Sequence, residues 1–190
     1  VKGLSIHPGA AKNKLINASQ VAMEFHAMLP VHERPESTEG YEGFCMLNHI
    51  SGGIEQTVMR YIIRDHDRAK FEERKALFEE LGTKINEKYG AGTVEPVVKD
   101  SYFNMKEKIE PHIQIIDRAK QAMIETGIVP NVVPIRGGTD GARLSWEGLP
   151  CPNLCTGGEN FHGRFEYISV QSMDKITKFL VRLLENVAKD

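Results

Sequence analysis

The 190-residue sequence has few cysteines and no long apolar run. Its three cysteines cannot all pair within one chain, and no second cysteine pair accompanies Cys151 and Cys155 to complete a zinc site. We therefore expect reduced thiols and a cytoplasmic protein. No stretch approaches the roughly 18 apolar residues of a membrane-spanning helix, and residues 1–9 lack the pattern of a secretory signal.

An excess of charge of either sign is also missing. Lys and Arg number 24 and Asp and Glu number 26, so the formal net charge is -2. No window contains a dense basic stripe with interleaved aromatic residues, which disfavours nucleic acid as a partner. The hydrophobic fraction of 41% is enough to bury a core in one medium domain or two small ones.

The start of the sequence resembles the inside of a chain. It begins Val-Lys-Gly-Leu-Ser-Ile, without an initiator methionine and within a segment that the pattern predicts to be extended. This beginning is compatible with a piece of a longer protein.

Residues 1–102 show the periodicities of a split βαβ unit. Apolar residues three and four apart predict a helix over 13–29, closed by Pro30. Residues 41–50 and 57–64 predict two antiparallel strands, with Ser51-Gly52-Gly53 in the connecting turn. Asp67 is expected to cap a second helix that ends at Gly90-Ala91-Gly92, and a strand is predicted from 93 to about 102. Together with an extended 1–6, the order is β-α-β-β-α-β, a ferredoxin-like α/β layer.

Residues 103–190 predict part of a second α/β layer. A helix over about 106–126 precedes short strands at 132–135 and 149–154. Thr139 or Asp140 is the expected cap of a short helix between these strands, and Ser169 the expected cap of the last helix. So few strands leave sheet edges and helix faces uncovered, which favours a piece of a larger domain.

Two loops contain candidate residues for binding or catalysis. His7, in His-Pro-Gly, follows the first extended segment and is a candidate donor to a developing oxyanion; an ordinary loop histidine is the alternative. Arg136 opens a glycine-rich loop between a predicted strand and helix, where it is a candidate to bind a carboxylate; a simple tight turn is the alternative.

The loop around His162 is the most suggestive. Glycines flank this histidine, which is a natural zinc ligand, although one histidine does not make a metal site. Glu159 and Glu166 are either partners of His162 or solvated acids. Arg64 lies at the end of a predicted strand, and this position alone predicts a residue that is solvated or paired with its neighbours. The remaining histidines have no mutual metal-binding spacing and are expected to be structural or on the surface: His26, His32, His49, His66 and His112.

Five blocks in order along the chain resemble the peptidase T family of cytoplasmic tripeptide aminopeptidases, which depend on two zinc ions. The blocks are residues 6–9 (Ile-His-Pro-Gly), 38–44 (Thr-Glu-Gly-Tyr-Glu-Gly-Phe), 61–65 (Tyr-Ile-Ile-Arg-Asp), 134–142 (Pro-Ile-Arg-Gly-Gly-Thr-Asp-Gly-Ala), and 149–154 (Leu-Pro-Cys-Pro-Asn-Leu) with the His162 loop. The likeness extends over essentially the whole chain and corresponds to the C-terminal half of such an enzyme.

The resemblance implies a lid domain over residues 1–102 and the closing part of a catalytic domain over 103–190. By the family pattern His162 matches a zinc ligand, whereas His7, Arg64 and Arg136 match positions that face the peptide substrate. The other zinc ligands and the general-base glutamate lie upstream in the family and have no counterpart here.

Two classes of function follow from the sequence. The first is part of a zinc-dependent tripeptide aminopeptidase that is inactive as this piece, since a two-zinc centre needs more than one histidine. The second is a non-catalytic peptide-binding or oligomerisation module. In either class, exposed edges favour a homo-oligomer, and neither nucleic acid nor a membrane is expected as a partner.

Overall fold

The computed structural model describes residues 1–189, and their contacts divide the chain into two units. Unit 1 comprises residues 1–99 and the short segment 134–137. Unit 2 comprises residues 100–133 and those from 138 onward. Among the described residues, no helix is long and apolar enough to cross a membrane.

The centre of unit 1 is an antiparallel hairpin. Strand β1 (Phe44–Gly52) pairs with strand β2 (Thr57–Arg64), as the sequence predicts. Phe44 lies opposite Arg64 and Cys45 opposite Ile63, and the register shifts between Leu47 and His49. Because side chains alternate along a strand, Cys45 and Ile63 face the helices, whereas Phe44 and Arg64 face the opposite side.

Two helices cover one face of this hairpin. Helix α1 (Ala18–Met28) is capped by the side chain of Asn17, and helix α2 (Arg68–Tyr89) by Asp67, which accepts from the Lys70 amide at 3.0 Å. The predicted Asp67 cap is therefore confirmed, as is the end of α2 at Gly90, whose φ is 108°. The apolar core lies between helices and hairpin: Val21, Phe25, Leu29, Cys45, Phe78, Leu81, Ile85 and Val94.

The predicted outer strands of unit 1 are wrong in detail. Residues 1–6 form only isolated bridges, Lys2 with Gln56 and Leu4 with Ile16. Residues 93–102 form no strand. The physical reason is that the Asn86 side chain in α2 takes both backbone groups of Val94, with distances of 2.8 and 2.9 Å to its amide and carbonyl. These groups are then not available to a neighbouring strand.

Unit 2 is mainly helical. The predicted helix over 106–126 is divided into α3 (Lys106–Ile109), a 3₁₀ turn at Glu110–His112, and α4 (Gln114–Glu125). Pro111 explains the break, since it has no backbone N–H and its ring clashes with the preceding turn. Helix α6 (Val170–Val187) is capped by Ser169, as predicted, and its buried Phe179 packs on α4.

The predicted strands at 132–135 and 149–154 do not form. In the second segment the Cys151 amide donates to Ser145 Oγ at 2.9 Å, so a side chain rather than a strand partner satisfies it. Helix α5 (Asp140–Trp146) is capped by Thr139, which is one of the two caps that the sequence predicts. Short strands β3 (Gly158–Glu159) and β4 (Tyr167–Ile168) form a hairpin that the sequence analysis did not predict.

Candidate functional site

The backbone of Arg64 and the guanidinium of Arg136 both lie next to Phe44 in unit 1. Arg64 is the last residue of β2 and lies opposite Phe44 in the register of the hairpin. The guanidinium carbon of Arg136, in the segment 134–137, lies 5.0 Å from the centroid of the Phe44 ring. A planar guanidinium stacks favourably on an aromatic face. The structure therefore brings together two of the sequence-predicted residues, although 71 residues separate them along the chain.

Thr38 is the hydrogen-bond partner of Arg136. The Nη1 of Arg136 donates to the Thr38 carbonyl, and Nη2 donates to Thr38 Oγ1. The Thr38 hydroxyl in turn donates to the Arg34 carbonyl at 2.8 Å. The Nε of Arg136 is buried and has no hydrogen-bond partner within the described part of the chain. Thr38 thus fixes the edge of the guanidinium that Nη1 and Nη2 form.

A buried ion network lies immediately beyond the strand end. Asp65 Oδ2 accepts from Arg74 Nε at 3.0 Å, and Asp65 Oδ1 accepts from the Asp67 amide at 2.9 Å. Arg74 also pairs with Glu33. Gly43 permits this arrangement, because a Cβ there would collide with the Asp65 carboxylate. The network fixes the backbone that presents Arg64.

His66 lies near Arg136, and the sequence analysis did not select it. Its ring makes an edge contact with Tyr41, with centroids 5.1 Å apart. Burial lowers the pKa of His66, Asp65 opposes this effect, and the nearby positive charge of Arg136 adds to it. No periodicity or spacing marks this histidine, and only its position directly after Arg64-Asp65 connects it with the site.

His7 lies in an exposed turn of the same unit. It precedes a 3₁₀ turn at Pro8–Ala10, and its Nδ1 accepts from the Gly9 amide at 3.1 Å. Because Nδ1 accepts, the neutral ring carries its proton on Nε2. The Nε2–H of this exposed histidine is then a donor.

His162 belongs to unit 2, in the loop between β3 and β4. Its backbone is in the left-handed region with φ of 62°, and Asn160 has φ of 57°. The His162 amide donates to Glu166 Oε2 at 2.9 Å. Of the alternatives open for Glu166, the structure thus shows a contact with the loop backbone rather than with the imidazole.

These residues do not fit a two-zinc centre. Among residues 1–189, no three His, Cys, Asp or Glu side chains are grouped to hold a metal ion. Zinc needs about four ligands in a closed site and three in an open catalytic one. His162 is the single nominated ligand in this chain.

Comparison with known proteins extends this description. Residues 1–93 match the family described as "Peptidase dimerisation domain". Peptidase T of Alkaliphilus oremlandii is 54% identical over 189 residues, which is 100% of this chain and 46% of that protein. Peptidase T of Brevibacillus brevis is 52% identical over 97% of this chain and 45% of its own length. This chain spans about half the length of the relatives that it matches.

Two solved structures have a similar fold. A crystal structure of aminopeptidase PepT from Bacillus cereus has a TM-score of 0.63 at 21% identity, covering 98% of this chain and 50% of that chain. A tripeptidase from Staphylococcus aureus has a TM-score of 0.66 at 16% identity, covering 100% of this chain and 50% of that chain. These likenesses support the mixed α/β fold with its ferredoxin-like first part.

Proposed function

Because this chain is related over its full length to about half of peptidase T, we propose that it is the C-terminal, substrate-binding part of a zinc-dependent aminopeptidase that releases the first residue of tripeptides. Residues 1–102 form the lid domain and residues 103–190 the closing part of the catalytic domain. The substrates are short peptides, and the compartment is the cytoplasm.

The position of the Arg136 guanidinium over Phe44, the strand partner of Arg64, is the observation that supports this proposal best. Peptide substrates end in a carboxylate, and arginine binds carboxylates with a planar set of donors. Arg64 and Arg136 come from distant parts of the sequence, yet Arg64 is the strand partner of Phe44 and the Arg136 guanidinium lies over the Phe44 ring. In the proposed function they bind the carboxylate or a carbonyl of the peptide.

His7 supplies the second element of the proposed mechanism. Its Nε2–H is a donor in the neutral ring, since Nδ1 is already occupied by the Gly9 amide. A donor aimed at the carbonyl oxygen stabilises the negative charge that develops there during hydrolysis. His7 thus acts on the oxyanion, whereas the arginines act on substrate binding.

Zinc supplies the activated water in this family, but the residues of this chain do not assemble its site. His162 is proposed as one ligand, and the other ligands and the general base are expected from the part of the relatives that this chain does not match. The 190-residue chain by itself is therefore not expected to hydrolyse peptides.

Calorimetric titration with a tripeptide tests the binding role. We expect binding that weakens when the peptide's C-terminus is amidated, and that weakens at least several-fold in Arg64→Ala. The matched control is Arg60→Ala, because Arg60 is exposed and lies on the same face of β2, four residues before Arg64. Equal affinity for acid and amide would contradict the proposal, as would zinc-dependent hydrolysis by the chain alone.

A non-catalytic oligomerisation module is the second candidate. It is favoured by the description of the family that matches residues 1–93, and by three apolar side chains around the hairpin turn that are 41–48% exposed: Ile50, Ile54 and Val58. Light scattering at concentrations well above micromolar tests it. A homodimer that Val58→Lys dissociates supports self-association through the hairpin, and a monodisperse monomer argues against it.

A further inference from the structure

The hydrogen bonds between Arg136 and Thr38 have the pattern of a guanidinium that already holds a carboxylate. In a bidentate Arg–carboxylate pair, two nitrogens donate to two oxygens held side by side. Here Nη1 and Nη2 donate to two oxygens of a single residue, the Thr38 carbonyl and Oγ1.

The rest of the guanidinium offers no second open edge. The alternative bidentate edge of an arginine uses Nε and one Nη. The Nε of Arg136 is buried, and one face of the group lies over the Phe44 ring. A carboxylate that reaches Arg136 by two hydrogen bonds must therefore use the Nη1–Nη2 edge that Thr38 occupies.

We propose that Thr38 keeps Arg136 in a self-occupied state, in which the two oxygens of Thr38 stand in for those of a carboxylate, and that the terminal carboxylate of a peptide displaces Thr38. This inference rests on the proposed substrate role of Arg136. Thr38 is then a residue that sets peptide affinity without belonging to the reacting groups.

A peptide carboxylate and Thr38 compete for Arg136, and each has an advantage that the other lacks. A carboxylate carries a negative charge and forms stronger hydrogen bonds with arginine than a neutral carbonyl or hydroxyl does. Thr38 in turn belongs to the same chain as Arg136 and is fixed next to it by the fold. Its hydroxyl also donates a hydrogen bond to the Arg34 carbonyl at 2.8 Å. Removing one of the two competing oxygens should free the edge more often.

The decisive variant is Thr38→Val, which keeps the size of the side chain and deletes Oγ1. We expect it to bind a tripeptide at least about 10-fold more tightly, because the deleted hydrogen bond has the charged guanidinium as its donor. Thr38→Ser, which restores the hydroxyl, should return to the wild-type affinity. A C-terminally amidated tripeptide should not distinguish the variants.

Thr83→Val is the matched control for the loss of a hydroxyl. The Thr83 hydroxyl in α2 also donates to a backbone carbonyl, that of Glu79 at 3.0 Å, without contacting Arg136. It should leave peptide affinity unchanged. Backbone amide chemical shifts of all variants establish that each is folded.

NMR of the arginine side chain reads the contact directly. The Nε–Hε signal of Arg136, assigned by its loss in Arg136→Lys, should show slow rotation of the guanidinium in the wild-type chain and faster rotation in Thr38→Val. Acetate serves as the carboxylate probe, and it should shift this signal at lower concentration in Thr38→Val than in the wild type.

The outcomes separate this inference from the proposed function. If no version binds the tripeptide but acetate shifts the Arg136 signal more readily in Thr38→Val, the inference stands and the peptide-binding function fails. If the wild-type chain binds the tripeptide and a folded Thr38→Val binds it no better than Thr38→Ser, the inference is overturned. It is equally overturned if acetate leaves the Arg136 signal unchanged in both the wild type and Thr38→Val.

Discussion

Arg74 donates from Nε to the carboxylate of Asp65 at 3.0 Å, and 2% of the Asp65 side chain is exposed. This pair connects the second turn of α2 with the residue that follows β2. The Asp65 carboxylate also accepts a hydrogen bond from the Asp67 amide, so one carboxylate orders the turn from strand to helix. The stability of unit 1 and the placement of Arg64 therefore depend on the same buried group.

Asp65→Ala should destabilise unit 1 strongly. Removing one partner of a buried ion pair leaves the other charge uncompensated and typically lowers the free energy of unfolding by about 3–5 kcal/mol. Urea denaturation followed by circular dichroism measures this change. Glu80→Ala is the control, because its pair with Lys84 in α2 is more than half exposed and should contribute less than about 1 kcal/mol. Equal losses in the two variants would refute the importance assigned to burial.

Gly43→Ala should also destabilise the end of the hairpin. A Cβ at this position would lie 2.6 Å from the Arg64 carbonyl oxygen and closer still to the Asp65 carboxylate. Neither neighbour is free to retreat, so we expect a loss of about 1–3 kcal/mol, as for overpacked sites. Gly53→Ala is the comparison, since a Cβ there meets nothing within 4 Å. A chain that tolerates both substitutions equally would contradict this packing.

The helices and the central hairpin of unit 1 were accessible from sequence because they depend on local signals. Apolar spacing, the Asp67 cap and the glycines at the hairpin turn all act within a few residues. The strand predicted over 93–102 failed because a side chain from another element, Asn86, takes the backbone groups of Val94. Such competition leaves no periodic trace in the sequence.

The residues of the candidate site were likewise only partly predictable from the sequence. The resemblance nominated Arg64 and Arg136, and in the structure Arg64 is the strand partner of Phe44 while the Arg136 guanidinium lies over the Phe44 ring. Thr38 belongs to a block that carries the resemblance, but its role as partner of Arg136 spans 98 residues of sequence. A contact of that separation depends on the folded chain, so sequence spacing gave no reason to select Thr38.

Zinc binding by this chain should be weak. Of the side chains described, His162 alone is nominated as a ligand, and Glu166 contacts the His162 backbone rather than its ring. We expect less than stoichiometric zinc after dialysis against a mild chelator, measured by elemental analysis. His162→Ala should leave the same residual zinc content. One or two zinc ions that survive dialysis, and that His162→Ala removes, would show that this chain assembles a site by itself.

The pH dependence of stability should report on His26. Its Nε2 lies 3.2 Å from Nη2 of Arg34, and its Nδ1 lies 3.0 Å from the Tyr61 hydroxyl. Because arginine can only donate, Nε2 is the accepting nitrogen and the folded state holds the ring neutral. Burial lowers the pKa of His26, and the charge of Arg34 lowers it further. Burial likewise raises the pKa of Tyr61 to about 12, so this hydroxyl stays neutral at any working pH.

A folded-state pKa below the unfolded value of about 6.5 means that the unfolded chain binds the proton more readily. The contribution of His26 is then fully present above that pH and is lost as the pH falls towards the folded-state pKa. We expect the free energy of unfolding to decrease from pH 7.5 to 5.5, and to decrease less in His26→Gln, which keeps an acceptor for Arg34.

His66, whose pKa is also lowered by burial, accounts for the dependence that remains. His32→Gln is the control, since His32 is exposed, and it should keep the wild-type slope. Urea denaturation at the two pH values measures the difference, and a His26→Gln slope equal to the wild-type slope would show that the ring is not held neutral by folding.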